Sequence, residues 1–577
     1  MALSAGKQVN DILILEPTTS SWLYDSYTNT DPKCYKIGQT FQDFITRLEK
    51  SQVEYDLGSE NIIKDMDSVR KGKFIVGQCS YSTVVLPPMM ENLDLPTFKL
   101  LKKFVAAGGT LVTFSAPSLI DGSENRQLIN FFAENAKKIH SEAELNSAII
   151  SKYFTDTDIK FSKFTYGDLY HNRRMLADGQ VIFIVNSSLT EQASGSFKVK
   201  GLAAYELNTL TGEVNGYPWS QEGDTIDIDF SMPPAGSLLL FVPKVYNERH
   251  ITLYKPKDLK SLASVSPLKI SRDRENVMTI EFCDLTLGHE TTPDMHNYNA
   301  ADKVYKYYGF KNGNPWNTSI QFKTRTVDRD TFGVNTGFTA TYHFDVKENF
   351  DFSGFKAVVE RPYLWIVTVN GNEVKAEAGK WWLDKEFGVF RIGNLVKKGD
   401  NTVTLNASPM KVNDEIEPIY ILGDFSVKPA GKGWTIEAPV KKLTLGSWKE
   451  QGMPFYSWGV TYSKEFDIEN PDGTYLVSLG NWKGTIAEVK VNGTPANVIA
   501  FPPYLSDVTD LIKPGVNKID VTVIGSLKNL LGPHFNNPKP GLVSPWLFRN
   551  VKGYPAGKDY QLLDYGLMED FTLLQGN

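Results

Sequence analysis

Cysteine is scarce in this chain: 577 residues contain three, Cys34, Cys79 and Cys283, far apart in the sequence. That spacing builds neither a disulfide framework nor a metal knot, and it leaves the redox compartment open. Histidine is scarce too, at seven, with His289 and His296 the one close pair. Six residues including Pro293 separate them, so they do not share a helical face as the histidines of His-Glu-x-x-His do. A polar loop is expected there. Basic charge is in deficit, with 61 Lys and Arg against 67 Asp and Glu. A nucleic-acid partner is thereby excluded, because neutralising phosphates needs a basic face. Long apolar runs are missing as well. Nothing approaches the roughly 20 residues of a membrane span, and Met1-Ala2-Leu3-Ser4-Ala5-Gly6-Lys7 lacks the apolar core of a secretion signal.

What the chain does have is a long internal repeat. Val369-Asn370-Gly371 recurs as Val491-Asn492-Gly493, an offset of 491 − 369 = 122 residues. Each copy is followed by a Gly-x-Asn turn and an alternating strand, Gly399-Asp400-Asn401 and then Gly515-Val516-Asn517. Asn-Gly between alternating apolar runs marks a tight hairpin, because both turn positions need positive φ. A repeat of this length is a duplicated domain, not a solenoid unit.

Ahead of the repeat, the pattern changes. Ile12-Leu13-Ile14-Leu15 is a short apolar run ended by Pro17, as expected of a buried parallel strand. Phe41, Phe44, Ile45 and Leu48 share a helical face, and Val53-Glu54-Tyr55 reads as a second strand. Thr83–Leu86 and Thr110–Phe114 follow, separated by a helix that Gly108-Gly109 stops. Ser141-x-x-Glu144 reads as a capping box. Alternating strands and helices predict a doubly wound, flavodoxin-like α/β domain over 1–153. Helical periodicity then stops, and Val181–Val185, Ile226–Phe230 and Leu238–Phe241 predict a small β-sandwich over 154–244. The two repeats take 245–430 and 431–577. The fold class is thus multidomain and mostly β, with one α/β domain in front.

Chemistry is harder to find. Class I glutamine amidotransferases share the front domain's fold and set a nucleophilic Cys on the turn after a strand, where this chain has Ser115-Ala116-Pro117. Cys79 precedes a different strand and has no neighbouring His, so it is read as structural. Gly108-Gly109 sits at a helix end, not at the helix start that a phosphate cradle needs. No carboxylate pair is singled out by spacing. Aromatics remain: Trp365, Trp381-Trp382, Trp458, Trp482 and Trp546 lie at predicted loops and strand ends, where a ring can stack a sugar or seal a sandwich core. Adjacent strand residues face opposite sides, so one of Trp381 and Trp382 should face out. His534 closes a turn-rich segment, with a structural role as its plain alternative.

Several strings, in order, carry a resemblance. Leu15-Glu16-Pro17-Thr18-Thr19-Ser20-Ser21-Trp22, Tyr81-Ser82-Thr83-Val84-Val85-Leu86-Pro87 and Phe104-Val105-Ala106-Ala107-Gly108-Gly109-Thr110 resemble the amidotransferase-like domain that follows the catalytic barrel in large bacterial glycoside hydrolases. His171-x-Arg173-Arg174 and Asp178–Asn186 resemble the next β-domain of those enzymes. Asn276–Asp284, Tyr420–Phe425, Gln451–Tyr456 and Ser526–His534 are similar to the C-terminal modules of the α-L-rhamnosidase-like hydrolases, glycoside hydrolase family 106. Asp507-Val508-Thr509 resembles the sugar-binding jelly rolls of β-galactosidase-like enzymes.

The resemblance implies two jelly-roll β-sandwiches and a non-catalytic C-terminal portion of such an enzyme. It would support a catalytic barrel of the same polypeptide and bind glycan through Trp381, Trp382, Trp482, Trp365, Trp458 or His534. No catalytic residue carries over. The resemblance implies no cofactor, leaves room for structural calcium, and places the parent enzyme in the periplasm or outside the cell. A free-standing carbohydrate-binding or scaffold protein and a complete hydrolase with an inter-domain site are the alternatives.

Overall fold

The computed structural model describes residues 2–8, 10–139, 154, 159–162, 168–209, 212–245, 259–318, 323, 326–329, 332–536, 543–549 and 551–576. The capping box at Ser141 and Glu144 lies outside them. The chain forms two compact units, 1–256 with 501–503, and 257–500 with 504–577. Among the described residues no helix is long and apolar enough to cross a membrane.

The first unit opens with a parallel sheet in the spatial order 56–58, 12–15, 83–86, 110–113, 137–138. Numbered along the chain this is 2-1-3-4-5, the flavodoxin-like order. Leu13, Leu15, Val84 and Leu86 bury one face, and Ile12, Ile14 and Val85 bury the other beneath Phe44 and Leu48. The helix Pro32–Lys50 starts where the Asp31 carboxylate accepts from the Lys33 amide and Pro32 presets φ at the first helical turn. The second strand lies at Asp56–Gly58, three residues beyond the predicted Val53–Tyr55. Val53 and Glu54 are buried, as a strand would be, but they do not join the ladder. A β-sandwich follows. Its sheet of 159–162, 193–200, 225–232 and 220–222 packs against 169–175, 179–186, 237–243, 205–207 and 214–216.

The second unit holds two β-sandwiches with matching strand order. In one, the sheet 276–280, 419–423, 356–360, 384–391, 381–382 faces a sheet containing 282–287, 338–346, 399–407, 366–369 and 372–374. In the other, 260–262, 572–576, 474–478, 505–507 faces 269–272, 459–468, 515–524, 486–491 and 494–495. Asn370-Gly371 and Asn492-Gly493 form equivalent two-residue hairpins, with φ of 48° and 82° in the first and 51° and 82° in the second. Positive φ at both positions is the type I′ turn.

The division between the repeats differs from the sequence expectation. Lys260–Leu262 pairs with 573–575, and Lys269–Arg272 with 460–463, so both strands belong to the second sandwich. The hairpin Ser426–Pro429 with Trp434–Glu437 spans the expected 430/431 boundary and pairs with 345–346 of the first sandwich. The first sandwich is therefore nested inside the second. The chain leaves the second after Arg272, builds the first from Asn276 to Glu437, and returns at Gly459. No local pattern announces a pairing across so long a separation.

Candidate functional site

Nesting makes the chain cross between sandwiches twice, and an open cleft of about 480 Å³ lies where it does so. The outgoing crossing supplies Arg272, Asp273, Arg274 and Glu275, and the returning one ends in Trp458. Trp382, Leu422 and Asp424 of the first sandwich complete the lining. Tyr456 ties the crossings together: its hydroxyl accepts from the amides of Asp273 (3.2 Å) and Arg274 (3.1 Å) and donates to the Gly459 carbonyl at 2.9 Å.

The aromatic wall is fixed by the backbone. Strand 381–382 meets 384–391 with a register shift between its two tryptophans, and Leu383 takes a φ of 56°. Trp382 turns inward against Tyr420, with its ring 5.5 Å from Trp458 at 56°. Trp381 points the other way and is 55% exposed. The polar rim is largely compensated. Arg272 pairs with Asp424, Lys356 pairs with Glu275 at 2.8 Å, and Thr461 donates to Asp273 at 3.0 Å. Arg274 makes no ion pair among the described residues, and its guanidinium lies 5.6 Å from the Trp458 ring centre. Aromatic faces beside fixed donors and acceptors suit a polyhydroxylated ring, which needs both.

The cleft thus brings together two of the sequence candidates, Trp382 and Trp458. The others lie elsewhere. Trp365 is half-buried, donating from Nε1 to the Glu360 carbonyl at 3.1 Å and meeting Phe338 edge-on. Trp482 is half-buried against the second core, with its ring perpendicular to Tyr504 at 5.5 Å. His534 is buried and faces no solvent. Its Nε2 donates to the Asn529 carbonyl at 2.8 Å, and its Nδ1 stands 2.9 Å from the Glu281 carboxylate. A sugar therefore has no path to this ring. Its chemistry is internal, and its proximity to Glu281 had no signal in the sequence. His296 sits 3.9 Å from Glu281 on the other side, so the close pair His289 and His296 is divided, with His296 internal. Among the described residues no group of His, Cys, Asp and Glu suits a metal ion.

Two carboxyls with strongly displaced titration, the buried Glu281 and the half-buried Glu417, had no signal in the sequence. Burial is the largest influence on Glu281 and pushes it up, but His534 and His296 more than offset this and hold it at about 2. Burial, then Glu415 and Glu360, push Glu417 up to about 8 against the pull of Arg361. Neither lines the cleft. In the first unit, the crevice where such a sheet usually binds ligands is occupied by the protein's own hydrogen bonds. Ser20 accepts from the amides of Glu91 and Asn92, both at 2.9 Å. Buried Glu60 accepts from Thr19 and from the Asp94 amide, both at 2.8 Å.

No established family profile matches the sequence. A putative beta-glucuronidase of Formosa agariphila is 29% identical over 177 residues, covering 26% of this chain and 15% of that protein. Among solved structures, the chain is similar to the rhamnosidase of Novosphingobium sp. PP1Y, with a TM-score of 0.47 and 12% identity over 99% of this chain and 39% of that one. It is also similar to the α-L-rhamnosidase of Streptomyces avermitilis, with a TM-score of 0.20 and 13% identity over 63% of this chain and 36% of that one. A GH42 β-galactosidase of G. stearothermophilus gives 0.28 and 13% over 41% of each chain. Rhamnosidases and other glycoside hydrolases are thus among its structural neighbours. The chain spans well under half the length of each of these proteins.

Proposed function

We propose that this chain is a non-catalytic, glycan-binding portion of a glycoside hydrolase of the α-L-rhamnosidase-like kind, standing beside a catalytic barrel of the same polypeptide in polysaccharide breakdown. The order of the resembling strings supports the placement. The observation that carries the binding role is the cleft at the double crossing, where Trp382 and Trp458 face a rim of paired charges. Concave, partly aromatic sites with a few fixed polar groups are the usual form of a small-ligand site.

The test is calorimetric titration of the chain with rhamnose- and galactose-containing oligosaccharides, using Trp458→Ala and Asp424→Ala. Asp424 is mostly exposed, so its loss spares the fold. Each variant should weaken binding about tenfold, near 1.4 kcal/mol. Glycan binding that survives both variants unchanged rejects the cleft as the site.

A further inference from the structure

Every carboxylate lining the cleft at the double crossing is matched by a donor, and one of the two lining cations is left over. Asp424 answers Arg272. Glu275 takes the Lys356 ammonium on both of its oxygens, at 2.8 and 2.9 Å. Asp273 is turned onto the second sandwich. One of its oxygens accepts from Thr461 at 3.0 Å, and the other lies over Gly459, where a Cβ would stand 2.1 Å from it. The missing side chain of Gly459 thus makes room for this carboxylate against the strand.

Arg274 is the cation that remains. Its guanidinium has neither a hydrogen bond nor an ion pair among the described residues, yet its place is set. The Tyr456 hydroxyl holds the Arg274 amide at 3.1 Å, and the guanidinium lies 5.6 Å from the centre of the Trp458 ring, within reach of cation–π attraction. A guanidinium presents its N–H donors as a planar fork that meets paired anionic oxygens two at a time. A neutral sugar resting on the aromatic wall would leave that fork to water.

We propose that the glycan taken by the cleft is acidic, with a uronate carboxylate or a sulfate ester meeting Arg274 beside the wall of Trp382 and Trp458. This rests on the reading of the cleft as a glycan site and adds the charge of its ligand.

The experiment is calorimetric titration of the full chain with two matched pairs: trigalacturonate against its methyl ester, and galactose 6-sulfate against galactose. The first pair reads a carboxylate and the second a sulfate ester. At least one anion should bind about fivefold tighter than its neutral partner, the scale of one exposed charge pair. That advantage should shrink in roughly 1 M salt, where the screening length falls to about 3 Å. Arg274 is exposed, and Arg274→Gln keeps the amide that Tyr456 holds, so the variant spares the fold. It should bring the members of each pair to equal affinity. An advantage that survives Arg274→Gln or high salt overturns the proposal, as does equal binding within both pairs by the wild-type chain. If the neutral oligosaccharides still bind through Trp458 in that last case, the acidic ligand alone is rejected and the cleft stands. If no glycan binds, acidic or neutral, both fall together.

Discussion

The two sandwiches of the second unit share a clasp and differ in nearly everything attached to it. In the first, Asn401 donates to the carbonyls of Lys397 (2.7 Å) and Gly399 (2.8 Å). It accepts from the Lys397 amide and from Asn370, both at 2.9 Å. In the second, Asn517 donates to Lys513 (2.6 Å) and Gly515 (2.9 Å), and accepts from the Lys513 amide and from Asn492, both at 3.0 Å. Each of these asparagines stands opposite a buried phenylalanine, Phe344 or Phe466. The hairpin asparagine then accepts from the next amide, Thr402 or Lys518, both at 2.9 Å. Such a network pins two turns of the sandwich to each other, and both copies kept it. The shifted carboxyls Glu281 and Glu417, the inward Trp382 and the helix Asn297–Tyr307 belong to the first sandwich alone. What was duplicated is what holds the fold, and what diverged is what a ligand or a proton meets.

The largest test strikes the element that is unique to the first sandwich. Glu281 sits below its unfolded value of about 4.3, near 2 in the fold. A depressed carboxyl contributes stability above its unfolded pKa and loses it as pH falls through the folded one. The wild-type chain should therefore lose stability between about pH 4.5 and pH 2. Glu281→Gln should remove that part of the acid limb and cost about 3 kcal/mol at neutral pH, the worth of holding near 2 a carboxyl that titrates at about 4.3 when unfolded. Urea unfolding at pH 7, 4 and 3 reads both effects. An acid limb unchanged in the variant would show that the pair plays no part in it.

Next come the shared elements. Asn401→Ala and Asn517→Ala each strand buried backbone groups, and each should cost about 3 kcal/mol. Near-equal losses by denaturant unfolding support one clasp used twice. A large inequality would mean that one sandwich has found another way to close. One asymmetry is built in: Asn370 also donates to the Leu395 carbonyl at 2.8 Å, a bond with no counterpart at Asn492. Asn370→Asp should therefore destabilise more than Asn492→Asp, by about 1 kcal/mol.

The clasp was legible in sequence because Asn-Gly and Gly-x-Asn are local signals, written within a few residues of where they act. So were the parallel strands at Ile12–Leu15 and Thr83–Leu86, whose continuous burial shows as unbroken apolar runs. The nesting was not legible. Lys269 pairs with Ser463, and the tetrapeptide Lys269–Arg272 is too short and too polar to announce its partner. The cleft was half legible for the same reason. Trp382 and Trp458 could be named as aromatics at strand ends, but Arg272, Asp273, Arg274 and Glu275 gain their place only from the crossing. Glu281 and His534 illustrate the limit most sharply, being adjacent in the core and 253 residues apart in the chain (534 − 281).

The smallest effects lie at the hairpin tips. Gly371 and Gly493 both have φ of 82°, and an added Cβ would meet nothing within 4 Å at either one. Steric contact is thus removed from the comparison, and the backbone conformation alone remains. An L-residue in the left-handed region costs roughly 1–2 kcal/mol. Gly371→Ala and Gly493→Ala should each cost about 1 kcal/mol by denaturant unfolding. Because the two turns are separate in the chain and share no partner, the double variant should lose the sum of the two. A loss at one tip only would show that the other turn can change type without disturbing its strands. That would make the duplication exact in hydrogen bonding but unequal in how firmly each copy enforces it.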